Sequence, residues 1–253
     1  MTMISDNLQA IRERIARACA ACARDPAGVR LLAVSKTFGA HALAQAVQAG
    51  QHAFGENYIQ EALDKMGELA RRPLPALQWH CIGPIQSNKS ALVARHFDWA
   101  QTLDRVKIAQ RLSEQRPAGL PPLCVCIQVN VDGGATKAGV APDEAVEFAL
   151  AVARLPRLQL RGVMSIPDAL PDFAAQRQVH ERARAIFDAI AARLPAGHAG
   201  FDTLSLGMTA DLEAAIAAGS TLVRVGSGIF GARHYPQAGQ SAPAQLPHAD
   251  APG

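Results

Sequence analysis

Eight short apolar segments alternate with helical stretches along 253 residues. That alternation predicts an α/β fold, a single-domain (β/α)8 TIM barrel with one extra helix at its N-terminus. Three observations carry the prediction. Eight βα units need about 250 residues, which is the length available. The segments are closely joined, with no internal repeat and no change of composition that marks a linker before residue 233. Polar residues and glycines gather directly after the apolar segments, where a barrel keeps its chemistry. A doubly wound open sheet accommodates the same alternation and is the competing architecture.

The chain opens on a helix. Ile4, Leu8, Ile11, Ile15, Ala18 and Cys22 recur at helical spacing, which marks one buried face. Arg12, Arg14 and Arg17 would fit a transit peptide, but Asp6 and Glu13 interrupt the basic character. Asp25-Pro26 with Gly28 is expected to stop this helix. Strands are then predicted over 29–35, 51–55, 79–82, 97–103, 123–131, 158–166, 203–206 and 221–225. Helices are predicted between them over 40–50, 58–72, 87–96, 104–116, 143–154, 172–194 and 211–218. Asp104 is placed as an acidic cap and Thr209 as a candidate cap. Segment 123–131 alternates most clearly, with Leu123, Val125, Ile127 and Val129 apolar and Cys124, Cys126, Gln128 and Asn130 small or polar. From His234 onward the composition is Pro, Ala, Gln and Gly, which predicts a disordered tail over 234–253 after a folded domain of 1–233.

Composition narrows the function classes. With 49% hydrophobic and 19% charged residues the chain has the makings of a sizeable core. A net charge of +3 is too small and too dispersed to indicate nucleic acid or a membrane surface, and no apolar run is long enough to span a bilayer. Five cysteines, an odd number, argue against a secreted disulfide framework. Cys19 and Cys22 form a C-x-x-C inside a helix, without the second pair zinc would need or the preceding strand of a redox motif. Cys124 and Cys126 share a strand face and read as small core fillers. The eight histidines show no metal-ligand spacing, so no metal site is expected. A cytoplasmic protein is expected, and no apolar stripe asks for a partner, so a monomer is expected too.

The first strand, Leu31-Leu32-Ala33-Val34-Ser35-Lys36-Thr37, ends on a lysine that strand packing does not require. A charge marking the exit into solvent is the common reading, and a functional amine is the rarer one. Position shifts the balance, because strand ends carry the site of a barrel. Lys36 ends the first strand, Glu56 and Asn57 follow the second, and Asn130 ends the fifth. Ser205 and Gly207 end the seventh, and Arg224, Gly226 and Ser227 the eighth. Alternation sets Lys36 above Leu32 and Val34 inside the barrel.

Gly226-Ser227-Gly228-Ile229-Phe230-Gly231 matches G-x-G-x-x-G but lacks the following helix, strand and acidic residue of a dinucleotide fingerprint. As the loop after the last strand it fits a phosphate instead, with residues 205–209 beside it. Gly226 and Gly228 let a backbone approach and Ser227 adds a hydroxyl; otherwise these glycines serve tight turns. A phosphate cradle facing an interior lysine points to a phosphorylated carbonyl compound held as a Schiff base. Arg224 would disfavour protonation of a nearby Lys36. Its alternative role is an interior ion pair with a carboxylate such as Glu56.

Longer blocks carry a resemblance. Leu32-Ala33-Val34-Ser35-Lys36-Thr37, Phe54-Gly55-Glu56-Asn57-Tyr58-Ile59-Gln60-Glu61 and Trp79-His80-Cys81-Ile82-Gly83-Pro84-Ile85-Gln86-Ser87-Asn88-Lys89 are three of them. Arg161-Gly162-Val163-Met164-Ser165-Ile166-Pro167, the run from Leu204 to Ile216 and the run from Val223 to Gly231 are the others. Together they resemble the YggS/PROSC family of pyridoxal phosphate homeostasis proteins, over almost all of the folded chain. The resemblance implies a barrel like the N-terminal domain of alanine racemase, binding pyridoxal 5'-phosphate (PLP). It implies Lys36 as the covalent attachment, Ser205, Gly226 and Ser227 at the phosphate, Arg224 near the pyridine nitrogen and Asn57 as a cofactor-side contact. It implies no catalytic residue. Ser227-Gly228 departs from a more usual Thr-Ala type pair, and Cys81 stands where an aromatic is commoner, which would loosen packing beneath the third strand's loop.

An arginine against the pyridine nitrogen keeps that nitrogen unprotonated and makes the ring a poorer electron sink. The related racemases draw one base, a tyrosine, from a second domain and a partner subunit. Here only Tyr58 and Tyr235 are present, and no β-rich domain follows the eighth strand. The leading expectation is a non-catalytic PLP-binding protein of intracellular PLP homeostasis, buffering the cofactor or delivering it to apo PLP-dependent enzymes. The alternative is a PLP-dependent, amino-acid racemase-like enzyme of weak activity. A barrel aldolase using Lys36 without PLP would explain the phosphate loop but not the blocks. Lys137, in the glycine-rich loop after the fifth strand, is either a solvated charge or a transient PLP acceptor.

Overall fold

The computed structural model describes residues 2–134, 137–198 and 200–231, so the tail over 234–253 and Tyr235 lie outside the described residues. Eight parallel strands close in sequence order into one barrel, as the alternation predicts. They are β1 (Arg30–Val34), β2 (Ala53–Glu56), β3 (Gln78–Cys81), β4 (Trp99–Leu103), β5 (Leu123–Gln128), β6 (Leu158–Met164), β7 (Thr203–Ser205) and β8 (Leu222–Val225). The first helix, α1 (Met3–Ala21), precedes the barrel. Between strands run α2 (Ala40–Gln48), α3 (Ile59–Leu69), α4 (Ser90–His96), α5 (Val106–Gln115), α6 (Ala145–Ala153), α7 (Phe173–Arg193) and α8 (Leu212–Ala217), and a single turn, α9 (Ser227–Phe230), follows β8.

Alternation divides each strand between two cores. Outward-facing Leu123, Val125 and Ile127 of β5 join Ala33, Phe54, Val163 and Val223 in the large cluster under the helices. Inward-facing Cys124 and Cys126 meet Trp99 and Met164, so the two cysteines do share a face. Leu32, Ile82 and Leu222 form the other interior apolar cluster. Cys81 is fully buried in the outer core.

Several local expectations are corrected. α1 ends at Ala21, with Ala23 in the left-handed region at φ 54°, before Asp25-Pro26 is reached. Asp25, Pro26 and Gly28 instead build a separate 3-10 turn, in which the Asp25 carboxylate accepts the Ala27 N–H at 2.9 Å. Cys19 continues the buried stripe and Cys22 is only half-buried. Asp104 does not cap α5. Arg105 holds that position and donates its Nε to Asp104 at 3.0 Å. Asp211, not Thr209, precedes α8, and the Thr209 carbonyl accepts from Arg14 of α1 at 2.8 Å.

The interior also contains a polar column. Arg224 Nη1 donates to Ser205 Oγ at 2.8 Å, and Ser205 Oγ donates to Gln101 Oε1 at 2.7 Å. Gln101 Nε2 stands 2.8 Å from His80 Nδ1, whose Nε2 is 3.0 Å from Gln78 Oε1. The Gln101 amide makes His80 Nδ1 an acceptor, so Nε2 carries the proton and every donor points the same way. Burial and the nearby Arg30 push the His80 pKa down to about 3, which keeps it in that neutral form. Beside it Trp99 stacks on His80 at 5.0 Å and lies under Arg30 and Arg161, whose charges sit 5.5 and 5.1 Å from its ring. Arg161 is the extra residue where the β5–β6 register shifts, between Leu160 opposite Val125 and Gly162 opposite Cys126.

Two outcomes follow from this packing. A Cβ on Gly162 would stand 1.6 Å from the Thr203 carbonyl oxygen, whereas one on Gly67 of α3 meets nothing within 4 Å. Gly162→Ala is expected to lose at least about 3 kcal/mol or fail to fold, and Gly67→Ala to gain about 0.5–1 kcal/mol, read from urea unfolding midpoints. The second concerns pH. An unfolded chain protonates His80 near 6.5 while the folded one resists to about 3. This contribution is fully present above pH 6.5 and falls by up to ~1.4 kcal/mol per pH unit as the pH drops through the window toward about 3. His80→Gln should flatten the stability–pH profile relative to the parent by that slope, and parallel profiles would refute the assignment.

Candidate functional site at the strand ends

Closure brings four strand ends side by side. β1 pairs with β8, Leu32 opposite Arg224 and Ala33 opposite Val225, and with β2, Val34 opposite Gly55. Ser205 ends β7 on the far side of β8. Lys36, half-buried, lies just past β1, Asn57 just past β2, and Gly226 and Ser227 just past β8. A Cβ on Gly226 would come within 3.2 Å of the Val34 carbonyl, so glycine lets the exit of β8 lie against that of β1. Phe38 then stacks on Phe230 of α9 at 5.0 Å, which ties the lysine's loop to the turn after β8. Gly228 has a different task, since a Cβ there would press on Val225, Ile11 and Thr209 at 3.0–3.3 Å.

Arg224 is buried under this surface. Its Nη1 donates to the Ser205 carbonyl at 2.6 Å as well as to Ser205 Oγ, and its Nη2 to the Ser165 carbonyl at 2.9 Å. The ion pair with Glu56 does not form. Among the described residues its hydrogen-bond partners are all neutral, and burial lowers its pKa to about 10, which still leaves it charged at neutral pH. The Ser205 hydroxyl donates to Gln101 and accepts from Arg224.

Glu56 pairs instead with Lys65 of α3, at 2.8 Å. Lys65 also meets Glu61 at 2.6 Å and donates to the Ser35 carbonyl at 2.8 Å, while Ser35 Oγ donates to Glu56 at 2.6 Å. Burial pushes the Glu56 pKa upward, against the opposing pull of Lys65 and Ser35. Glu61 accepts the Thr37 N–H at 2.6 Å. Thr37 has φ 70°, a conformation that strains a β-branched residue by about 1–3 kcal/mol.

The loop after β7 is fixed from outside. Gly207 has φ +85°, and a Cβ there would collide with Ala215 at 2.4 Å. Asp211 accepts the Met208 N–H at 2.6 Å and faces buried His180 of α7 at 2.9 Å. Burial raises the Asp211 pKa, but His180, the Met208 N–H and Arg224 outweigh it and hold the carboxyl below its usual range. Lys137 lies between Asp132 at 2.5 Å and Asp168 at 2.8 Å. Burial acts against its charge, but both carboxylates hold its pKa above the ordinary lysine value, which makes it a poor nucleophile.

Four buried polar atoms at the strand ends have no protein partner among the described residues: Glu56 Oε2 at the end of β2, Asn57 Oδ1 just past it, Asp132 Oδ1 in the loop after β5 and Ser165 Oγ just past β6. An unmet buried group costs about 1–3 kcal/mol, so these are places where a polar ligand or water gains most. Ser165, Gln101, His80 and Lys65 were missed as site-supporting residues by sequence reasoning. A signal existed for Lys65, which follows Glu61 by four residues on a helix, and for Gln101, a polar residue at an inward position of a strand.

Comparison with known proteins follows the same outline. The family model described as alanine racemase, N-terminal domain, matches residues 7–234. The pyridoxal phosphate homeostasis proteins of Pseudomonas aeruginosa and Escherichia coli K12 are 53% and 51% identical over 235 residues, covering 93% of this chain and 98% and 99% of theirs. PipY of Synechococcus elongatus, solved with PLP bound, superposes with a TM-score of 0.77 at 32% identity, over 90% of this chain and all of that one. Alanine racemase of Corynebacterium glutamicum shares the fold at 15% identity and TM-score 0.64, and the match covers 94% of this chain but only 62% of that protein. With near-full-length relatives at half identity, the chain belongs to the family of pyridoxal phosphate homeostasis proteins, built on the alanine racemase N-terminal domain.

Proposed function

We infer that this protein binds PLP through the Lys36 amine and serves intracellular PLP homeostasis, holding the cofactor and releasing it to apo PLP-dependent enzymes. The observation that carries the reading is the convergence of Lys36, Arg224 and the loop at 226–228 on adjoining strand ends, together with unpartnered Asn57 Oδ1 and Ser165 Oγ. These residues fit the group. Arg224 offers a charge held only by neutral acceptors to a ring nitrogen, and Asn57 offers an unused acceptor. The first N–H groups of α9, at Ser227 and Gly228, have no intrahelical acceptor and suit a phosphate ester, with the Ser227 hydroxyl exposed nearby. Ser205 contributes by fixing Arg224. Bound PLP supplies an aldehyde that condenses with amines and a ring able to stabilise a carbanion.

Holding without turnover is the finer part of the reading. Tyr58, 58% exposed, precedes α3 at the barrel's rim and is not set against the interior. An arginine at the ring nitrogen weakens the electron sink. Lys137, clamped by Asp132 and Asp168, is disfavoured as a second attachment point. A cytoplasmic monomer fits this role, and among the described residues no helix is long and apolar enough to cross a membrane.

PLP titrated into the purified protein should produce the visible absorption of an amine-linked cofactor, and borohydride reduction with peptide mapping should find the label on Lys36. Lys36→Ala should abolish that label. Failure of the parent to load PLP, or labelling confined to another lysine, would end this reading. Lys36-dependent interconversion of alanine or serine enantiomers would move the protein into the racemase class.

A further inference from the structure

The Ser35 carbonyl accepts the Phe38 N–H at 3.1 Å, so Lys36 and Thr37 occupy the middle of a four-residue turn. Thr37 takes φ 70° in its third position, where glycine is the usual occupant because a Cβ is penalised there. An exposed threonine keeps such a conformation only if its surroundings over-determine it. They do. The Lys65 ammonium grips the peptide before the amine, through the Ser35 carbonyl at 2.8 Å. Glu61, held by that ammonium at 2.6 Å, grips the peptide after it, through the Thr37 N–H at 2.6 Å. Glu56 closes the set from β2, binding Lys65 at 2.8 Å and Ser35 Oγ at 2.6 Å.

A buried ion cluster is weak evidence of stabilisation, since well-packed apolar side chains often do as well in its place. What apolar replacements could not do is hold one carbonyl and one N–H on either side of a single residue. We propose that Lys65 is the positioning residue for Lys36. With Glu56 and Glu61 it forms a bracket that locks the turn at 35–38 and so sets where the Lys36 amine stands for condensation with the PLP aldehyde. The inference rests on the reading of Lys36 as the PLP-bearing amine. Condensation joins the Lys36 nitrogen to the aldehyde carbon and releases the oxygen as water. The bracket takes no part in that exchange and acts only through the backbone.

Glu61 gives the cleaner variant, because its side chain is 32% exposed while Lys65 is buried against two carboxylates. Glu61→Met and Lys65→Met are expected to weaken PLP binding by about tenfold or more and to lower the amine-linked fraction seen in the visible spectrum. Thr37→Gly placed in Glu61→Met should recover part of the loss, since glycine adopts the positive φ without help. In a Lys36→Ala background Glu61→Met should change residual, non-covalent PLP affinity less than twofold, because the bracket then has nothing to position. A structural role alone would lower affinity equally in both backgrounds, and that result overturns the proposal, as does a folded Glu61→Met that loads like the parent. Should Lys65→Met fail to fold, the Glu61→Met cycle decides. Failure of the parent itself to load PLP overturns the functional reading and this proposal together, whereas normal parent loading with unaffected variants overturns the proposal alone.

Discussion

Everything at the mouth of this barrel depends on the ladder between its first and last strands. Lys36 and the turn at 226–228 come from opposite ends of the folded chain, and only the pairing of Leu32 with Arg224 and Ala33 with Val225 makes them neighbours. A parallel ladder also fixes which side chains face inward, because a one-residue slip would send the whole set to the other face. Arg224 in the interior and Val225 in the outer core are two readings of one register. The glycine at 226 is the local consequence. A Cβ at 226 would stand 3.2 Å from the Val34 carbonyl oxygen, tighter than an ordinary contact, so glycine lets the two exits converge without displacing either.

An arginine inside such a barrel poses a physical problem, since a buried charge is tolerated only when it is thoroughly hydrogen-bonded. The chain answers with dipoles. Two carbonyls and a hydroxyl receive Arg224, and the hydroxyl passes its own proton to Gln101, then the amide to His80, then the imidazole to Gln78. Each member has one role it can play, so reversing any of them would leave two donors or two acceptors facing. The guanidinium is thereby fixed in place while, among the described residues, no carboxylate contacts it.

Much of this was legible in the sequence, for identifiable reasons. The eight strands could be read because a buried strand needs apolar residues and glycine, proline or acid breaks the pattern, and Lys36 stood out because strand packing gives no reason for it. Ser205, Arg224 and Gly226 fell on strand ends once the barrel was assumed. What stayed hidden depended on side-chain distance. Glu56 had two cations within the fold's reach, Arg224 and Lys65, and spacing along the chain cannot choose between them; the placement of Lys65 against the Ser35 carbonyl and Glu56 does. Caps were misplaced at Asp104 and Thr209 for a related reason, since a capping residue type occurs near most helix starts and only backbone geometry selects one. The bulge at Arg161 was equally unreadable, because an extra residue in a ladder has no compositional mark there.

The same side chains argue about what the site can do with a cofactor. Acid–base catalysis needs groups whose pKa lies near the working pH and which are at liberty to exchange a proton. Around this mouth Asp132, Asp211 and Lys137 are held away from that range, while burial moves Glu56 upward. Asp132 and Asp211 are held below the usual carboxylate range, each against the pull of its own burial, by Lys137 and by His180 respectively. Lys137 is held above the usual amine range. Glu56 and Glu61 are engaged by Lys65, and the Ser205 hydroxyl is engaged by Arg224 and Gln101. For Asp132, Asp211 and Lys137 such partners stabilise one protonation state. A scaffold shared with racemases thus holds the charged groups around its mouth largely against one another, Glu56 and Glu61 on Lys65 and Asp132 and Asp168 on Lys137.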